Sequence, residues 1–162
     1  MGMQTDVLSY HTSSSGLIYD GRTRLKGVVL SPTVSITYNS CFVDTAGSLA
    51  GTYDIPGTTT CTVTSANHGL SNGSRVAINF TSGTAQDDAY TVANATANTF
   101  TIATASLTTS GNATVYSNIL MELDSASGTA FYTLIPGEGI VATQGLAAVL
   151  PIANVSATVF YG

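Results

Sequence analysis

From about Gly57 to Ser117 the chain repeats one local pattern: short runs of Thr, Val, Ile and aromatic residues that alternate in polarity, each stopped by Gly, Asn or Ser. A period of two in side-chain direction, with β-branched residues at the apolar positions, specifies strands and leaves no helical face. The same spacing of short strands and turns returns after residue 118. Many short strands about ten residues apart predict an all-β chain, specifically a β-sandwich (jelly-roll or Ig-like) carrying an inserted small β-barrel or β module.

The pattern divides the chain into segments. Residues 1–16, "MGMQTDVLSYHTSSSG", are polar, Ser-rich and aperiodic, and read as an N-terminal arm or loop ordered by a partner. Residues 17–56 and 118–162 read as one outer sandwich, and 57–117 as the inserted module. In the first part, "LIYDGRTRLKGVVLSP" and "TVSITYNSCFVD" alternate as strands. "TAGSLAGTYDIPGTTT" carries Gly47, Gly51, Pro56 and Gly57 and reads as loop. Within the module, "RVAINF" places Val76, Ile78 and Phe80 on one face. Tyr90 and Val92 share a strand, Phe100 and Ile102 the next, with a turn between Asn94 and Asn98. The last part predicts strands over 119–123, 130–134, 139–143, 147–150 and 156–161.

Composition narrows the function. The chain has 162 residues, enough to bury a core without metal or disulfide staples. Only 8% of them are charged, against about 25% in ordinary soluble domains, while Thr and Ser supply about a quarter. A surface with so little charge repels its own copies weakly, which suits a protein packed against neighbours; a homo-oligomer is expected, a trimer among the arrangements. A net charge of −5 with four basic residues argues against nucleic acid, whose binding relies on Lys and Arg. The longest apolar run, "GIVATQGLAAVLPIANV", is interrupted by Gln144, Gly145 and Pro151, so no membrane span is expected. No targeting segment is evident, which predicts a cytosolic site of synthesis.

Candidate chemistry is sparse. Arg22, Arg24 and Lys26 alternate along "GRTRLKG", so a strand there would turn all three to one face, as a solvated stripe or a docking stripe for an acidic surface. In "IPGEGI", Pro136 and the flanking glycines make a turn that exposes Glu138; the segment lacks the Lys and the helix of a phosphate loop. Phe131, Tyr132, Phe160 and Tyr161 read as core or subunit seam ahead of a sugar platform. The expected interface residues are therefore Arg22, Arg24, Lys26, Glu138, Phe160 and Tyr161. His68 opens a turn, and a turn-stabilising hydrogen bond is expected of it. Asp87 and Asp88 read as a solvated loop, unlike the convergent carboxylates of glycoside hydrolysis. Cys41 and Cys61 have no flanking His at ligand spacing and read as free buried thiols. No catalytic residue, metal or cofactor is expected.

The insert "TVTSANHGLSNGSRVAINFTSGTAQDDAYTVANATANTFTI" resembles a β repeat frequent in tailed-bacteriophage virion proteins. His68, Gly69, Leu70, Gly73, Gly83, Tyr90, Val92, Asn98, Phe100 and Ile102 stand at its matching positions. Ser74 with Arg75, and "QDDAY", depart from it. The flanks, "RLKGVVLSP" and "FYTLIPGEGIVATQGLAAVLPIANVSATVFYG", are similar to small all-β proteins encoded by tailed phages of aquatic bacteria. Together the two resemblances cover most of the chain after about Leu25. They imply a non-enzymatic virion structural protein, foremost a capsid decoration or cement protein bound to the major capsid protein or other virion proteins and assembled in the bacterial cytoplasm. A tail, neck or fibre component is the alternative, and a carbohydrate-binding module comes third.

Overall fold

The computed structural model describes residues 7–35, 37–124, 128–151 and 154–162. Among them the chain is all-β, with strands in three antiparallel sheets. The strands are β1 (Leu8–Thr12), β2 (Gly16–Asp20), β3 (Thr23–Pro32), β4 (Asn39–Asp44), β5 (Leu49–Thr64), β6 (Arg75–Phe80) and β7 (Asp88–Thr91). They continue as β8 (Thr99–Tyr116), β9 (Ile119–Asp124), β10 (Phe131–Leu134), β11 (Ile140–Ala142), β12 (Gly145–Val149) and β13 (Val155–Tyr161). Sheet A runs β1-β13-β3-β10, with β11 also on β3; sheet B runs β2-β12-β4-β9; sheet C runs β5-β8-β6-β7.

Sheets A and B face each other across one apolar core. Leu25, Val28 and Leu30 of β3 and Val155, Ala157 and Val159 of β13 meet Phe42, Leu146 and Ala148 of sheet B there. This is the sandwich that the alternation in those segments predicts. Sheet B is also covered on its other side, where Cys41, Val43, Ala147 and Val149 pack on Ala77, Ala89 and Tyr116 of sheet C. The order is therefore three layers, with B in the middle. That explains why β4 and β12 are buried along nearly their whole length instead of alternating: a strand covered on both faces has no polar face to display. The residues at the B–C seam are mostly small, which lets the two sheets approach closely.

Sheet C encloses its own core. Tyr53, Ile55, Cys61 and Val63 of β5 meet Val76, Ile78 and Phe80 of β6, with Phe100, Ile102 and Val115 of β8. The long β5–β8 ribbon curls until the two ends of β5 meet: Ser65 Oγ donates to Ala50 O at 3.0 Å. A Cβ on Gly51 would lie 2.6 Å from Thr64 O, so this crossing requires glycine. A bridge between Ala93 and Thr101 joins the chain after β7 to the start of β8, giving the module a barrel-like wrap.

Three local expectations are corrected. Leu8–Thr12, expected within an unstructured arm, is β1 and pairs with β13 from Leu8↔Tyr161 to Thr12↔Ala157. It is an edge strand with little cover on either face, so burial imposes no alternation on it; residues 1–6 of the expected arm lie outside the described residues. "LAGTYDIPGTTT", expected as loop, lies within β5. Its Pro56 and Gly57 fall where the register with β8 shifts, and Gly57 takes φ +79 there; a bulge absorbs both breakers while Tyr53, Ile55, Cys61 and Val63 keep the inward period. Finally, "TVSITYNSCFVD" becomes strand only at Asn39; Ile36 lies outside the described residues.

Candidate interaction surface

The outward face of sheet A can be read from its registers. Ser9 stands opposite Phe160, Phe160 opposite Gly27, and Gly27 opposite Leu134, which makes one row across four strands. His11, Thr158, Val29 and Tyr132 make the next row. Tyr132 and Leu134 are 62% and 64% exposed, the most open large apolar side chains among the described residues. Gly27 has no side chain between Phe160 and Leu134, so the row dips there. The result is a groove of about 430 Å3 walled by Val7, Tyr132, Leu134, Pro136 and Phe160, with Lys26 at its rim.

A bulge sets this face. Phe160 pairs with Gly27 and Tyr161 with Leu25, which leaves Lys26 as an extra residue on β3. Leu25 and Val28, three apart, therefore both enter the core, and Lys26 and Gly27 both face outward. Arg24 also faces outward, and its Nη2 lies 3.1 Å from Glu138 Oε2. Glu138 sits at the tip of the turn joining β10 to β11, between Gly137 (φ +72) and Gly139 (φ +83). A Cβ on Gly139 would lie 2.3 Å from Leu25 O, so the turn can lie against β3 only because the residue is glycine.

Of the residues singled out in the sequence, Lys26 and Phe160 line this groove. Arg24 and Glu138 form the ion pair beside it. Arg22 lies in the turn before β3, not in the strand, where it lines a small recess with Arg24 and Gly162; the expected three-residue stripe is thus two strand residues and a turn residue. Tyr161 points the other way, into the core, with its ring 5.4 Å from that of Tyr19. Sequence reasoning missed Tyr132 and Leu134 as an exposed pair, because alternation fixes which residues share a face but not which face is covered.

The buried polar groups lie elsewhere and join elements. Asp44 is fully buried at the end of β4. Its Oδ2 accepts from Thr143 N at 2.7 Å and Thr143 Oγ1 at 2.6 Å, and its Oδ1 accepts from Ala46 N at 3.0 Å and Gln144 N at 3.1 Å. Desolvation opposes the charge, but the Thr143 hydroxyl and these amides together outweigh it and hold the carboxyl well below the usual carboxylate range. Asp87 and Asp88, expected in a solvated loop, are both buried: a charge-poor chain has few groups able to pair with amides at a seam, and these two are spent there. Asp87 Oδ1 accepts from Phe80 N at 2.7 Å and its Oδ2 from Ser15 Oγ at 2.5 Å. Asp88 Oδ1 accepts from Asn39 N at 2.8 Å. Arg75 of β6 grips Glu122 of β9 through Nε and Nη2. Burial raises Asp87 to about 6, against the pull of its Ser15 and Phe80 hydrogen bonds, and also raises Asp88.

His68 accepts from Leu70 N at Nδ1 (3.0 Å), which leaves the proton on Nε2 to donate to Thr99 O at 3.2 Å. Its ring packs edge-on against Phe100. Cys41 and Cys61 are free and buried in different cores. Among the described residues, no three His, Cys, Asp or Glu side chains gather as a metal site, and no helix is long and apolar enough to cross a membrane. No protein-family model matches the chain, and neither a curated protein nor a solved structure is significantly similar to it.

Proposed function

We propose that the chain is a non-enzymatic structural subunit of a virion, a capsid decoration or cement protein that docks on the major capsid lattice through the outward face of sheet A. The observation that carries this reading is the Phe160–Gly27–Leu134 row with Tyr132 beside it: a contiguous apolar groove rimmed by Lys26 and the Arg24–Glu138 pair. Apolar patches of this kind, edged by polar groups, mark docking sites. The rim holds Lys26 and Arg24, two of the chain's four basic residues, in a protein of net charge −5, so a partner surface with apolar knobs and acidic neighbours fits it best. Self-association is part of the same reading, since among the described residues β1 and β10 are the edge strands of sheet A and the low charge permits close neighbours. The phage-like resemblance of the insert and flanks names the class of assembly.

Electron cryo-microscopy of particles carrying the chain tests this. Density bridging capsid subunits, with sheet A against the shell, is the expected outcome. Density confined to the tail or the portal vertex would replace decoration by the tail reading, and absence from particles would overturn the virion reading.

A further inference from the structure

We infer that Asp87 is a proton-held latch between sheet C and the sandwich, closed when its carboxyl carries a hydrogen and loosened when it does not. The argument is a count of hydrogens. Ser15, between β1 and β2, has its Oγ 2.5 Å from Asp87 Oδ2 and 3.2 Å from Leu150 O, and the same Oγ accepts from Leu150 N at 2.9 Å. Both oxygen–oxygen contacts need a hydrogen, and Ser15 owns one. With Asp87 ionised, that hydrogen goes to the carboxylate and the contact to Leu150 O lacks one. With Asp87 protonated, Oδ2–H donates to Ser15 Oγ, Ser15 donates to Leu150 O, Leu150 N donates to Ser15 Oγ, and Phe80 N still donates to Oδ1. Only the protonated form satisfies every contact.

The position makes this a joint between sheets. Asp87 precedes β7 of sheet C, Phe80 ends β6, Ser15 follows β1 of sheet A and Leu150 follows β12 of sheet B. A recess of about 470 Å3 lined by Ser13, Ser14, Asn79, Thr81 and Pro151 opens beside the carboxyl and gives protons a path from solvent. No cation faces it. On β6 the charge is Arg75, engaged with Glu122; residues 145–151 and the loop 81–86 carry no charged side chain. The serines of 13–15 are neutral, and His11 on β1 is bonded to Thr158. On β7, Asp88 turns to Asn39, while Tyr90 and, on β8, Tyr116 are both held neutral by burial. Desolvation raises Asp87 to about 6 and outweighs the Ser15 and Phe80 hydrogen bonds, which pull it down. The latch is independent of the proposed virion role.

The test is a carboxyl-carbon NMR titration of the intact chain, with amide hydrogen exchange of Phe80 and Leu150 and urea midpoints from pH 4 to 8, for wild type and Asp87→Asn. The asparagine mimics the protonated acid, with Nδ2 donating to Ser15. The expected result is an Asp87 titration above pH 5. Wild-type exchange at the two amides, corrected for intrinsic chemistry, should speed up roughly tenfold or more from pH 5 to 8. Asp87→Asn should abolish most of that rise. A carboxyl that titrates below 4.5, or a variant that keeps the wild-type pH slope, overturns the latch. If the variant does not fold, the wild-type titration decides alone.

Discussion

Cys41 and Phe42 are neighbours on β4, yet their side chains enter different cores: Phe42 packs between sheets A and B, and Cys41 between sheets B and C. The two residues mark the middle layer. Truncating Phe42 to alanine should empty the larger core and cost about 3–5 kcal/mol. Enlarging Ala147, which stands opposite Val43 at the seam of small residues, should cost about 1–3 kcal/mol as Ala147→Leu by forcing sheets B and C apart. Urea unfolding monitored by tyrosine fluorescence checks both; an Ala147→Leu chain as stable as wild type would mean the seam is loose.

Both thiols should resist modification. Burial raises Cys41 far above its ordinary value, with the Glu122 and Asp88 charges adding to it, and raises Cys61 to about 12. A thiolate is the reactive form, so Ellman's reagent should label neither residue in the folded chain at pH 8 and both in urea. Fast labelling of one thiol in native buffer would show that its core opens.

Asp44 collects hydrogen bonds from the Thr143 hydroxyl and from backbone amides of two loops. Asp44→Ala leaves those donors facing each other, and a loss of about 3–5 kcal/mol is expected.

Asp44 and Asp87 also set opposite limbs of a pH profile. Asp44 is depressed below 3.8, so its contribution is present above that pH and lost as pH falls toward its folded value. Asp87 is raised from 3.8 to about 6, so its contribution is complete below 3.8 and lost as pH rises through 6. Stability should peak at about pH 4, where the two limbs balance, and decline from there toward about pH 6. A midpoint that climbs steadily from pH 4 to 8 would contradict that balance.

The outward face of sheet A should matter for docking and not for folding. Tyr132→Thr with Leu134→Thr removes two side chains that are mostly in water and keeps strand-compatible residues, so stability should change by no more than about 0.5 kcal/mol. Occupancy on particles, measured by sedimentation of the bound fraction, should fall at least tenfold; full occupancy would move the interface elsewhere.

Gly139→Ala tests the turn beside that face. A Cβ at φ +83 and 2.3 Å from Leu25 O has to displace the turn from β3, at about 1–3 kcal/mol, and to separate Glu138 from Arg24. Shifted Glu138 resonances together with the stability loss are the expected signature.

The strands of the last forty residues were legible because alternation survives where one face is covered, as in β13, and because turn residues bound the apolar run of β12, which is covered on both faces: β9 to β13 lie within a residue or two of the expected spans. The same rule predicted Val76, Ile78 and Phe80 facing one way on β6. Glycine and proline misled at β5, where a bulge took up Pro56 and Gly57, and β1 gave no signal because an edge strand with little cover imposes no pattern. What the sequence determined by itself is the set of local periods, the turn positions and the poverty of charge. Tertiary structure decided the rest: that sheet B lies between two others, that Asp87 and Asp88 are buried at that seam, and that Tyr132 and Leu134 face outward while Tyr161 faces inward. Strand period depends on neighbours in the chain, whereas burial depends on which sheet arrives opposite, and that choice is made by contacts between residues as far apart in sequence as Ser15 and Leu150.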